Sequence, residues 1–251
     1  MPKLLGILND AGWERQWSGL YAANRYQYAI GHRYDAQDFE ACELLQTYSA
    51  QPTEDLDTGW GQEGKLRIEY RDLRKKAKRR MALGIGSVIL VSASMRKMIE
   101  DSQLGHARFR PTLLENTQES LEGRVHQLLP WSKAPDGPWW ELTSDVVLPP
   151  VTERTPLEDK DGKPVKPDFS SGCWEAPVNF EIGHLHYARS ALKKLPRFDI
   201  ALTHEHWSNG HFPADPFGWL QRRIVSQRFY RFAVEHKLKV DFRPVEIDED
   251  L

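Results

Sequence analysis

Cysteine is almost absent from this chain of 251 residues, which holds only Cys42 and Cys173. Two thiols cannot build a disulfide framework or a cysteine-rich zinc site, so both are expected to be buried free cysteines. Long apolar runs are missing as well. The longest, "MALGIGSVILVSASM" at 81–95, is interrupted by Gly and Ser and falls short of the roughly 18–20 residues of a membrane span. The start, "MPKLLGILNDAGWERQW", carries acids and tryptophans where a secretory signal needs an apolar segment and a small-residue cleavage site. These absences predict a cytoplasmic protein with no membrane partner.

Catalytic signatures are also lacking. There is no Gly-x-Ser-x-Gly elbow, no phosphate-binding Gly-x-x-x-x-Gly-Lys-Ser/Thr and no complete Gly-x-Gly-x-x-Gly, since "LGIGSV" at 83–88 stops short of the third glycine. The expectation is a binding protein, not an enzyme, with no cofactor.

What is present describes a globular chain, 40% apolar and 28% charged, long enough for one large domain or two small ones. Charge is unevenly spread. Residues 71–80, "RDLRKKAKRR", hold seven bases and one acid, or +6, which leaves −8 on the remainder of a chain whose net charge is −2. Leu73 and Ala77 at i and i+4 predict one side of an exposed helix over 71–80. A nucleic-acid binder would use Lys75, Lys76, Arg79 and Arg80 on phosphates. The run has no aromatic residue to stack bases and the rest of the chain is acidic, so no direct nucleic-acid partner is expected.

A tripeptide recurs. Phe109-Arg110-Pro111 closes "ILVSASMRKMIEDSQLGHARFRP", and Phe242-Arg243-Pro244 closes "RIVSQRFYRFAVEHKLKVDFRP". Val91-Ser92 aligns with Val225-Ser226 and Leu104 with Leu238, after which one residue of slippage brings the tripeptides together. In each copy Ser suits a helix N-cap. Met95, Met98 and Ile99 then fall at helical spacing, as do Phe229, Phe232 and Ala233, leaving Arg96, Lys97, Arg228 and Arg231 to solvent. Each copy reads as strand end, helix, turn and strand. Phe109 and Phe242 are expected inside, and each proline is expected at a strand edge or end.

The resulting prediction is an α+β fold of two related helix-strand halves joined by a Pro/Trp-rich connector. The N-terminal half spans 1–130, with the basic helix at 71–80 and the first unit at 89–114. The irregular connector spans 131–176, with a short strand near "DVVLP". The C-terminal half spans 177–251, with the second unit at 223–247.

Three groups of side chains are candidates for function. "GHLHY" spaces His184 and His186 two apart, and "THEHW" does the same for His204 and His206, so each pair shares one face of a strand. A metal-dependent hydrolase using these four histidines is the alternative reading. Of the nine tryptophans, Trp139, Trp140, Trp174 and Trp207 stand in turn-rich segments and are candidate partner anchors. The acidic tail adds Glu246, Asp248, Glu249 and Asp250 as candidate contacts for a basic partner.

The two units, the Val-Ser to Phe-Arg-Pro pattern and the loop-rich middle between them resemble a bacterial immunity-protein family encoded beside polymorphic toxins and type VI secretion effectors. The resemblance is strongest over 88–114 and 198–247. It implies a cytoplasmic antitoxin for interbacterial competition, which binds one cognate toxin as a stoichiometric complex. It carries no catalytic residues across. If the toxin is a nuclease, its basic cleft would suit the acidic body.

Overall fold

A computed structural model of the chain describes residues 13–19, 26–32, 34–48, 58–60, 65–70, 73–74, 82–85, 88–120, 123–158, 181–182, 184–205, 207–208, 219–238 and 240–249. The described fold is mixed α+β, mostly strands with few helices. Residues 1–41 and 42–251 form two compact units.

In the first unit, β1 (Trp13–Gly19) and β2 (Tyr26–His32) make an antiparallel pair, and α1 (Ala36–Ala41) follows. Asp35 caps α1 by accepting from the backbone N–H of Gln37 and Asp38.

The second unit runs through β3 (Leu44–Tyr48), β4 (Thr58–Trp60), β5 (Leu66–Glu69), β6 (Ala82–Ile85), β7 (Val88–Val91), α2 (Ala93–Asp101), β8 (Ala107–Pro111), β9 (Leu113–Ser120) and β10 (Gly123–Leu129). It continues through β11 (Trp140–Ser144), β12 (Leu157–Glu158), β13 (Glu181–Ile182), β14 (Leu185–Ala188) and α3 (Arg189–Leu192). The last elements are β15 (Ile200–Leu202), β16 (Trp207–Ser208), β17 (Trp219–Leu220), β18 (Arg223–Ser226), α4 (Gln227–Glu235) and β19 (Asp241–Asp248). Among the described residues three larger sheets carry the unit, in orders β10-β9-β5-β4, β6-β7-β11-β8 and β14-β19-β3-β18-β15, beside the two-stranded pairs β12-β13 and β16-β17.

The two Val-Ser segments fold with matching register. β7 and β8 both lie antiparallel to β11, which runs between them, and Val91 and Pro111 flank the same residue, Trp140. β18 and β19 both lie antiparallel to β3, and Val225 and Pro244 flank the same residue, Leu45. Ser92 caps α2 by accepting from the Met95 N–H, and Ser226 caps α4 by accepting from Arg228 and Phe229. Twelve residues after each valine the backbone turns left-handed, at Gln103 (φ 51°) and at Lys237 (φ 52°). After α4 the turn is a Schellman motif, with Leu238 N–H bonding Ala233 and Lys237 N–H bonding Val234. His106 adds a second left-handed residue (φ 62°) in the first segment, which is where the one-residue slippage falls.

The helices bury the side chains that periodicity assigns to the core: Met95 and Ile99 in α2, and Phe229, Phe232 and Ala233 in α4. Tyr230 joins them, meeting Phe242 edge-on at 5.1 Å. Phe109 is only half-buried, because it stands on the edge strand β8, where the Arg96 guanidinium covers its ring at 5.0 Å and the Trp140 ring at 4.2 Å. Arg96 is thus a lid on aromatic surface, not a purely solvated charge.

Among the described residues, two further apolar clusters lie in the interior. One gathers Leu44, Leu185, Tyr187, Ala201, Ile224 and Val245 on one face of the five-stranded sheet, with Val146 and Leu148 over them. The other joins Leu66, Ile68 and Leu114 to Val88, Leu90 and Trp139.

Residues 131–158 are more regular than their prolines and turns suggest. They supply β11, the strand between β7 and β8, and "DVVLP" makes a parallel bridge at Val147 with Leu202. Sheet pairing also crosses the expected 130 and 177 boundaries, since β3 is central in a sheet otherwise drawn from residue 185 onward. Of the basic run, Leu73 is buried and Arg74 lies over the Tyr70 ring at 6.0 Å. Residues 75–80, with Lys75, Lys76, Arg79 and Arg80, lie outside the described residues. Among the described residues no helix is long and apolar enough to cross a membrane.

Candidate functional site

The "GHLHY" histidines and the acidic tail meet along one seam. β14 runs parallel to β19, pairing His186 with Glu246 and Ala188 with Asp248. Alternation along a strand places His184 and His186 on one face and Glu246 and Asp248 on one face of the neighbouring strand, so imidazoles face carboxylates across the pair. The His184 Nδ1 lies 3.3 Å from Glu246 Oε1, and His186 Nδ1 lies 3.0 Å from Asp248 Oδ1. Thr152 Oγ1 donates to Asp248 Oδ2 at 2.7 Å, and Arg154 approaches the same carboxylate at 3.4 Å. Burial pushes the Asp248 pKa up, but the Thr152 and His186 hydrogen bonds outweigh it and hold the group below the usual aspartate value.

Arg189, at the start of α3, completes the seam. Its guanidinium takes Glu43 in a fork, at 2.8 and 3.2 Å, and Glu249 at 2.6 Å. Hydrogen bonds to Glu43 and then Glu249 raise its pKa further, so its positive charge is fixed. The outer rim therefore presents Glu43, Glu246 and Glu249, half or more exposed, beside the more buried Asp248. Such a rim can accept hydrogen bonds from a cationic partner surface, although exposed pairs of this kind add little stability.

His204 is exposed, while Glu205 beside it is fully buried. Alternation explains both, because Ala201, Thr203 and Glu205 share the inward face. Glu205 Oε1 accepts from the Val151 N–H at 2.8 Å, and its Oε2 and the buried Tyr187 hydroxyl have no hydrogen-bond partner among the described residues. Burial raises the pKa of Glu205, and burial followed by the Glu205 charge raises that of Tyr187. Nearby Arg222, which donates to Gln46 Oε1 at 3.3 Å, is pushed down to about 10 by burial and then by the Arg243 charge.

Comparison with protein-family models, curated proteins and solved structures finds no match.

The remaining candidates separate. Trp139 is wholly buried, its indole N–H bonding the Pro135 carbonyl at 2.9 Å, and it offers no side-chain surface to a partner. Trp140 is half-buried beneath Arg96. Trp207 is described only as part of the short strand β16, and Trp174, His206 and Asp250 lie outside the described residues. Among the described residues, no three His, Cys, Asp or Glu side chains are arranged to hold a metal ion.

Sequence reasoning passed over two interior polar sites. Arg223 and Glu141, both almost fully buried, form an ion pair between β18 and β11, with Arg110 adding a second bond to Glu141 at 2.7 Å. Asp199 accepts from the Gly105 N–H at 2.7 Å, Ser226 Oγ at 2.6 Å and Arg228 at 3.0 Å. Arg228 also donates to the carbonyls of Ser102 and Gln103, so a residue assigned to solvent ties the C-terminus of α2 to the N-terminus of α4. Nothing local announced either site, because the partners of Glu141 and Asp199 come from distant segments of the chain.

Proposed function

We propose that this chain is an immunity protein that neutralises a cognate secreted toxin by forming a stoichiometric complex, without turnover, in the cytoplasm of the cell that makes the toxin. The observation that carries the reading is the pair of Val-Ser to Phe-Arg-Pro segments. They bear the family resemblance, and each folds as strand, Ser-capped helix, left-handed turn and strand about a central antiparallel strand. We read the two segments as the cores of two related halves, with the Pro/Trp-rich stretch as their connector.

The binding surface in this reading is the carboxylate rim of Glu246 and Glu249, with Asp248 held behind it and Trp140, Trp174 and Trp207 as anchors. A basic toxin face, such as the phosphate-binding cleft of a nuclease, would associate faster at low ionic strength. His184 and His186 belong to the same seam, each meeting a carboxylate of the neighbouring strand through Nδ1. The test is co-expression and co-purification with the product of the adjacent reading frame. A one-to-one complex that dissociates faster when Glu246 and Glu249 are changed to Lys is the expected result. Failure to bind that product at low salt would refute the proposal.

A further inference from the structure

Residues 146–155 bond both edge strands of the five-stranded sheet. At β15, the Leu148 N–H donates to the Leu202 carbonyl at 2.8 Å, and the Leu202 N–H to the Val146 carbonyl at 2.9 Å. At β14, the Thr152 N–H donates to the His186 carbonyl at 2.8 Å, and the His186 N–H to Thr155 Oγ1 at 3.0 Å. The segment thus spans from one edge to the other, over the apolar face that Val146 and Leu148 cover. Pro149 and Pro150 stand between the two anchorages and have no N–H for a ladder. Regular pairing in the segment is therefore confined to one bridge, Val147 with Leu202.

Two orphaned polar groups lie beneath it. Val151 packs against the cluster that holds Tyr187, its N–H bonds Glu205, and the next residue, Thr152, bonds the neighbour of Tyr187. One dipeptide therefore gathers both groups under the segment. Tyr187 and Glu205 are each 0% exposed, and the Tyr187 hydroxyl and Glu205 Oε2 have no hydrogen-bond partner among the described residues. A buried orphan weighs on the closed arrangement with its full desolvation penalty and recovers hydration when its cover lifts.

We propose that residues 146–155 form a sprung strap, which opens from the sheet while the rest of the unit stays folded, and that the Tyr187 hydroxyl and Glu205 Oε2 beneath it favour the open state. The strap is held by a handful of bonds at its two ends, whereas β3 and β18 are paired on both sides. Opening bares the outer edges of β14 and β15. It also frees Thr152 from Asp248, to which it donates at 2.7 Å, so the strap's position is felt in the carboxylate seam. This proposal is independent of toxin binding.

Native-state amide hydrogen exchange of the full chain, read residue by residue by NMR, tests it. The amides of Leu148, Val151 and Thr152 are expected to exchange roughly a hundredfold faster than those of β3 and β18, through an opening that the central strands do not share. Tyr187→Phe keeps the ring and removes one orphan, so it should slow the three strap amides by about tenfold. Thr152→Val removes the bond to Asp248 and should speed them. Strap amides as well protected as those of the central strands overturn the proposal. So does Tyr187→Phe that leaves strap exchange unchanged or faster, or Thr152→Val that leaves it unchanged or slower.

Discussion

Glu141→Gln keeps the shape of a side chain that is 2% exposed and removes the charge that Arg223, also 2% exposed, faces. Burial already lowers the pKa of Arg223, and the Glu141 charge is what opposes that shift. Breaking a buried pair from one side leaves an uncompensated ion and typically costs about 3–5 kcal/mol. Two features set the cost near the lower end. Arg223 Nε keeps its 2.6 Å bond to the Leu142 carbonyl, and Arg110, about half exposed, can turn to water once Glu141 is neutral. A loss of about 3 kcal/mol is therefore expected, equivalent to roughly 6–12 °C for a unit of this size. Urea unfolding followed by tryptophan fluorescence should show a lower midpoint at unchanged slope. Replacing both partners, Glu141→Leu with Arg223→Met, should recover much of the loss, because the desolvation of both ions is removed together. A single substitution costing less than about 1 kcal/mol, or a double substitution as harmful as the single, would refute the assignment of the pair as a buried lock between β11 and β18.

Glu205→Gln should leave stability unchanged near pH 4 and raise it progressively at higher pH. The raised pKa of Glu205 means that its contribution is intact below the unfolded value of 4.5 and is lost as pH rises through the folded value, a loss glutamine does not suffer. Chemical denaturation of both proteins from pH 4 to pH 8 measures it. Asp248→Asn has the opposite sign: the lowered pKa of Asp248 contributes stability above 3.8 that fades as pH falls through the folded value. Ser92→Ala should cost about 1 kcal/mol as a lost cap, whereas Ser226→Ala should cost about 2 kcal/mol, since it also strips a 2.6 Å donor from buried Asp199. Equal losses at the two serines would argue against the Asp199 role.

How much was legible in the chain follows from which signals are local. The two serine caps and the buried faces of α2 and α4 were readable, because capping and 3.6-residue periodicity depend on neighbours within one helical turn. Even the one-residue slippage between the copies has a local cause in the extra left-handed residue at His106. Sheet partners were not readable. Nothing near "LLQTY" announces that β3 will lie between β18 and β19, and nothing in "WWELTS" announces β11 between β7 and β8. The same limit hid the seam. The histidines and the tail acids were each singled out, but as separate candidates, since only the parallel register of β14 and β19 makes them neighbours. Trp139 was assigned to a surface role because its turn-rich flanks suggested exposure, whereas long-range packing against Leu90 and Leu114 places it inside.

The central claim is inhibition by stoichiometric binding, and a titration decides it most directly. The product of the adjacent reading frame would be assayed for its toxic activity at fixed concentration while this chain is added from zero to excess. The account expects activity to fall linearly and to vanish at one equivalent, with the added chain recovered intact in the complex. Full activity at a several-fold excess would contradict it, as would inhibition at far less than one equivalent, which would mean that the chain acts by turnover.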